Sequence, residues 1–198
     1  SVVGGIVTFL NVIGTTMVSV SYRYLAVELG KGNHGNANKV YNTVYMIHLV
    51  LAVCLVFIGE TLGLYYVNNI LNVVDSKVAD AQFVLHVSLL TTAISVMSVP
   101  ANGLIIAREK FLFTSLTEIG VAIMKLGLVI ALGYYLGNRL RAFALIMAVV
   151  TLVTRIAYVI YCRRKDATTI KWHFNKCWKD YKEIFSFAWW SLFGAIAV

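Results

Sequence analysis

Charge is what this chain has least of. Lys, Arg, Asp and Glu make up 13% of its 198 residues, and only nine of them are acidic. A soluble domain carries about 25% charged residues, so an ordinary water-facing globule is excluded. Proline is almost absent: Pro100 is the only one. The three cysteines, Cys54, Cys162 and Cys177, have no metal-ligand spacing and read as free thiols. No nucleophile–base pair, phosphate-binding glycine loop or metal constellation can be picked out. The chain therefore reads as a non-enzyme without a cofactor.

Apolar length is what the sequence has instead. Hydrophobic residues make up 60% and the mean hydropathy is +0.79. A helix needs about 20 apolar residues to cross a hydrocarbon core of about 30 Å. Residues 3–22, 44–67, 83–107, 112–136 and 141–161 meet that length or nearly so, and another run starts near 185. Lipid offers free backbone groups no partner, so helices or a closed barrel are required. Barrel strands would alternate polar and apolar residues, and these runs do not. The expected fold class is an all-α integral membrane protein. The chain starts and stops within apolar runs, and no basic segment or cleavage site precedes the first, which excludes a signal peptide. It is expected to be a fragment, with at least one span before it and several after.

Lys and Arg near span ends set the direction. One side collects Arg23, Lys31, Lys39, Arg108, Lys110, Arg163, Arg164, Lys165, Lys171, Lys176, Lys179 and Lys182, the other only Lys77, Arg139 and Arg141. The first group is expected in the cytoplasm, so the first span runs inward. This asymmetry accounts for the net charge of +8 without a nucleic-acid partner. Tyr65–Tyr66 and Tyr134–Tyr135 close two spans on the outer side, as an aromatic belt would. Residues 30–38 read as a turn-rich connection, 68–81 as an outer loop and 108–111 as a tight joint. In 163–184, Ile170, Phe174, Cys177, Trp178, Tyr181 and Phe185 recur at helical spacing with lysines opposite. That pattern predicts a basic amphipathic linker helix, either lying on anionic lipid of the inner leaflet or packed on the protein as a cytoplasmic linker.

Polar residues within spans are costly and usually face inward. Thr8, Asn11, Thr15, Ser19, Tyr22 and Arg23 form one stripe. Ser88, Thr91, Thr92, Ser95, Ser98 and Asn102 form a second, and Thr151, Thr154, Arg155 and Tyr158 a third. They read either as helix–helix hydrogen bonding or as the wall of a shared polar cavity. In TEIGVAIMKLGLVI, Glu118 and Lys125 lie seven residues apart, hence on one face and about 10 Å apart along the axis. Lys125 is too deep to snorkel easily. It reads as a structural ion-pair member or as an anion site, and Glu118 as a coupling group for a cation or as the partner of Arg23 or Arg155. Pro100, followed by Asn102 and Gly103, should bend the third helix, as a static kink or as a hinge. His48, on one face with Tyr41 and Tyr45, reads as a packed, hydrogen-bonded histidine.

The stretches VVGGIVTFLNVIGTT, SYRYLAVELGKGNHGNANKVYNTVYMIHL, SVPANGLIIAREKF, TEIGVAIMKLGLVI and FSFAWWSLFG follow one another along the chain. In this order they resemble the polysaccharide (O-antigen type) flippases of the multidrug/oligosaccharidyl-lipid/polysaccharide exporter superfamily. The resemblance implies a transporter of two six-helix bundles, twelve to fourteen helices in all, opening alternately to either side. Residues 1–162 would supply helices two to six of the first bundle, 163–184 the linker helix and 185–198 the start of the second bundle. It further implies a multi-pass protein of the bacterial inner membrane that moves lipid-diphosphate-linked oligosaccharide for surface polysaccharide such as lipopolysaccharide. Its partners would be that substrate, membrane lipids and a coupling proton or sodium ion. Arg23, Lys125 and Arg155 would bind substrate, and Glu118, Pro100 and Asn102 would couple or gate. The rivals are a drug or cation exporter and a peptidoglycan-precursor flippase of the same superfamily, and a membrane-embedded glycan transferase or polymerase.

Overall fold

The computed structural model describes residues 17–32, 34–69 and 75–196, and all its regular structure there is helical. Helix α1 occupies 17–30 of the described chain. It is followed by α2 (His34–Asn69), α3 (Asp75–Met97), α4 (Val99–Ala107), α5 (Phe111–Gly133), α6 (Arg139–Lys165), α7 (Ala167–Ile170) and α8 (Trp178–Ile196). Four helical stretches are long and apolar enough to cross a membrane: Asn36–Asn69, Lys77–Ala107, Phe111–Gly133 and Arg139–Lys165. The protein is thus a multi-pass, all-α membrane protein. These four match the expected spans 44–67, 83–107, 112–136 and 141–161. Most of the expected first span, including Thr8, Asn11 and Thr15, lies outside the described residues.

Local chemistry places the breaks. Pro100 has no N–H for the Val96 carbonyl, and its ring crowds the preceding turn. Helix α3 accordingly stops at Met97, Ser98 forms a turn, and α4 restarts with Pro100 in its first turn, where an N–H is not required. At the joint between α4 and α5, Glu109 adopts φ 55°, and the Arg108, Glu109 and Lys110 N–H groups donate back to the carbonyls of Leu104, Ile106 and Ile105. Gly32, at φ 69°, makes the turn after α1. The connection read at 30–38 is shorter than expected, because α2 already starts at His34.

The chain divides into two compact units. The first holds 1–49, 97–111 and 158–198, the second 50–96 and 112–157. All twelve cations assigned to the cytoplasmic side belong to the first, and Lys77, Arg139 and Arg141 to the second.

In the first unit, Val20 of α1, Val44 of α2 and Ile184 and Ala188 of α8 form an apolar core, flanked by Met17, Tyr24, Val40, Ile47 and Phe187. Helix α4 lies against α1 at Gly103, whose missing side chain leaves room for the α1 backbone at Ser21 and Tyr22. Buried Cys162 of α6 donates its thiol to the Ala101 carbonyl at 3.5 Å. Arg108 pairs with Asp166, tying the end of α4 to the end of α6.

The linker after α6 differs from expectation. Residues 163–184 are not one amphipathic helix: α6 runs on to Lys165, α7 is a single turn, residues 171–177 are non-helical, and α8 starts at Trp178. Asparagines divert this backbone from a helical ladder. The Asn38 side-chain amide donates to the carbonyls of Thr168 (3.1 Å), Thr169 (2.8 Å) and Lys171 (2.7 Å). The Asn42 amide donates to Lys171 O at 3.0 Å, and its oxygen accepts from His173 N at 3.2 Å. Within the linker, the Asn175 oxygen accepts from Cys177 N at 3.0 Å.

In the second unit, α2 and α3 meet through glycine. A Cβ on Gly59 would lie 2.2 Å from a Leu89 methyl, and one on Gly63 would lie 2.8 Å from a Leu85 methyl. This is the small-xxx-small packing of membrane helices, which association in lipid favours. Asp80, at the start of α3, accepts from Arg141 Nε and Asn138 Nδ2, each at 2.6 Å, tying α3 to the start of α6. Helix α5 has no buried residue.

Candidate functional site: ionisable groups in the spans

The six residues named from the sequence fall into both units. Arg23, Pro100 and Asn102 belong to the first, and Glu118, Lys125 and Arg155 to the second. Exposed Arg23 stacks its guanidinium over Phe187, 4.6 Å from the ring centre, a cation–π contact that holds it without a substrate. Pro100 is buried. The Asn102 side-chain oxygen is also buried, with no hydrogen-bond partner among the described residues. Arg155 is half-buried.

Helix α5 carries Glu118, exposed, and Lys125, half-buried. Among the described residues no ion pair joins either to another side chain. The arginine partner expected for Glu118 is not found there.

The hydroxyl stripes are largely satisfied within their own helices. Thr91 donates to Val87 O at 2.6 Å, Thr92 to Ser88 O at 2.8 Å, Thr151 to Met147 O at 2.8 Å and Thr154 to Val150 O at 2.7 Å. Such back-bonding to residue i−4 meets the hydroxyl's need without water or a second helix. These threonines therefore do not argue for a polar cavity. His48 is packed as expected: it is buried, with Nδ1 2.8 Å from Val44 O.

One pair was not singled out from the sequence. Glu60 of α2 and His86 of α3 are joined at 2.8 Å, Oε1 to Nδ1. Both lie in spanning stretches and both belong to the second unit. The glycines of GETLG bring the helices close enough, since Gly59 precedes Glu60 and Leu85 and Leu89 flank His86. A glutamate inside a G-x-x-x-G frame was the legible signal, because ionisable groups in spans are functional candidates by default.

In the first unit a cavity of about 220 Å³ is lined by Tyr24, Glu28, Lys39, Asp180 and Glu183, among others. None of the six residues predicted to bind or gate lines it. Lys39 pairs with Asp180 at 2.7 Å, and Asn175 donates to the same carboxylate at 2.6 Å. The Lys39 hydrogen bond, with Asn175 beside it, holds the Asp180 carboxyl below its ordinary range. A carboxyl whose proton affinity is lowered by folding contributes stability above its unfolded value, and that contribution is lost as pH falls through the folded value. The melting advantage of the wild type over Asp180→Asn in detergent should therefore be constant near neutral pH and shrink below about pH 4. A gap unchanged down to about pH 3 would show that the pair adds nothing.

No family model, curated protein or solved structure matches this chain.

Proposed function

We propose that this chain is part of a membrane transporter, a flippase that moves lipid-diphosphate-linked oligosaccharide across the bacterial inner membrane for surface polysaccharide synthesis. In the two-bundle arrangement implied by the resemblance, it supplies most of the first bundle. The observation that carries the reading is Lys125. Its Cα lies about 12 Å from the nearer end of α5 at the helical rise of 1.5 Å per residue. The rest of the helix from Ile119 onward is uncharged. A lone ammonium at that depth is costly unless an anion meets it. A diphosphate that has shed part of its water is such an anion, because charge-assisted hydrogen bonds strengthen where water is excluded.

Glu118 gives the rival reading, a drug or cation exporter, its own observation: an exposed carboxylate without a basic partner among the described residues. One assay separates the two. Lys125→Ala removes a charge-assisted contact of about 1.5–3 kcal/mol, so polysaccharide export should fall about tenfold or more at unchanged protein abundance. Lys125→Arg should keep most of it. Normal export by the alanine variant, with loss in Glu118→Gln, would transfer the reading to the cation exporter.

A further inference from the structure

We propose that the linker between α6 and α8 is a binding surface for anionic lipid. Residues 171–182 lie at the headgroup level of the bilayer, with aromatic rings against the lipid and lysines on its phosphates. The surface stands on its own geometry and does not depend on the cargo proposed above.

The depth of the linker comes from α2. Asn38 and Asn42 both hold the Lys171 carbonyl, the Asn42 oxygen accepts from His173 N, and Asn175 donates to Thr43. These α2 residues come just before the apolar run 44–67. The Trp172 ring meets the Tyr45 ring edge-on, with centres 5.7 Å apart, and Tyr45 belongs to that run. Tyr45 also stacks with Tyr41, at 6.5 Å between centres. All these residues belong to the first unit. The linker thus passes α2 where polar turns give way to the apolar span. Trp and Tyr favour that level, because their rings are apolar while the N–H or O–H reaches water.

The charge of the linker is left unanswered by the protein. Of its three acids, Asp166 is paired with Arg108 at the end of α4, and Asp180 with Lys39 of α2. Only Glu183 remains. Lys171, Lys176, Lys179 and Lys182 are exposed, and none forms an ion pair among the described residues. Arg163, Arg164 and Lys165 add three exposed cations at the end of α6. Basic groups beside a bilayer draw anionic headgroups, an attraction that fades within a Debye length.

The rings decide between a bilayer and a free anion. Trp172, Phe174 and Trp178 are 59%, 51% and 79% exposed. A dissolved phosphate would meet the lysines but leave these rings in water. An anionic bilayer meets both, since interfacial binding combines buried apolar area with attraction to the headgroups. Hydrogen bonds to α2, rather than a continuous helical face, hold the segment in place for it.

The test uses the full chain in vesicles of mixed phosphatidylcholine and phosphatidylglycerol. One lipid or the other carries bromine on its acyl chains and quenches nearby tryptophan. Trp172→Phe with Trp178→Phe removes the linker indoles, so the signal lost in that variant belongs to the linker. At equal mole fraction, brominated phosphatidylglycerol should quench this signal at least about twofold more than brominated phosphatidylcholine. Raising the salt to about 0.5 M should reduce the preference. Lys171→Gln, Lys176→Gln, Lys179→Gln and Lys182→Gln combined should bring the two lipids close to parity, with an unchanged melting temperature. If that variant melts lower, the salt series on the wild type decides alone. Equal quenching by the two lipids in the wild type, or a preference indifferent to salt, would overturn the proposal. So would the absence of quenching by either lipid, which would assign the lysines to a soluble acidic partner.

Discussion

Gly103→Leu should unfold the first unit or lower its melting temperature by about 10 °C. A Cβ on Gly103 would lie 2.9 Å from Ser21 Cβ, 3.2 Å from Tyr22 N and 3.3 Å from Ser21 C. Two of these atoms are backbone and cannot rotate away. Ser21 is itself fully buried, and its hydroxyl is tied to Met17 O at 2.8 Å, so α1 must shift as a body. Overpacking of this kind costs about 1–3 kcal/mol, occasionally more. One kcal/mol moves the melting point of a chain this size by about 2–4 °C. Gly120→Leu and Gly127→Leu on α5 are the controls, since a Cβ there would meet no neighbouring element within 4 Å, and both should melt like the wild type. Thermal denaturation in detergent reads all three. A Gly103→Leu protein that melts with its controls would mean that α1 and α4 do not touch at this glycine.

Asn175→Ala should release the linker. Asn175 is 6% exposed, and its amide nitrogen donates to Thr43 Oγ1 at 2.8 Å and to Asp180 at 2.6 Å. Its side-chain oxygen accepts from Cys177 N, and its backbone carbonyl accepts from the Tyr181 hydroxyl at 2.8 Å. Alanine leaves Thr43 and the Cys177 N–H without these partners. An abandoned buried polar group costs about 1–3 kcal/mol, so residues 171–177 should open about tenfold or more often. Amide hydrogen exchange should show faster exchange at His173 and Cys177, with α2 beyond Tyr45 unchanged. Wild-type exchange rates there would show that Asn38 and Asn42 hold the segment without Asn175.

Those two asparagines mark where the sequence stopped being readable. The spans were legible because hydrocarbon thickness sets their length, and the break near Pro100 because proline chemistry is local. The spacing of Ile170, Phe174, Cys177 and Trp178 fits a helix equally well. What prevents one is Asn38 and Asn42, about 130 residues earlier, whose amides hold carbonyls of the segment, joined by Asn175 within it. Periodicity carries no record of so distant a competitor. The Glu60–His86 contact was hidden similarly: each residue was visible in its own run, but the pairing of α2 with α3 at Gly59 and Gly63 was not. For α5 the shared face of Glu118 and Lys125 was clear, yet nothing along the helix says which neighbour Lys125 faces.

The thiols give this chain a reporter of its own. Cys162 is enclosed beside the Ala101 carbonyl, and Cys54, although exposed, belongs to the apolar span Asn36–Asn69, where a bilayer keeps out charged alkylating reagents. Cys177 is exposed at the end of the non-helical linker. A membrane-impermeant maleimide should therefore add one mass increment per native chain. The side of a sealed vesicle from which it does so gives the sidedness of the linker, with no engineered cysteine.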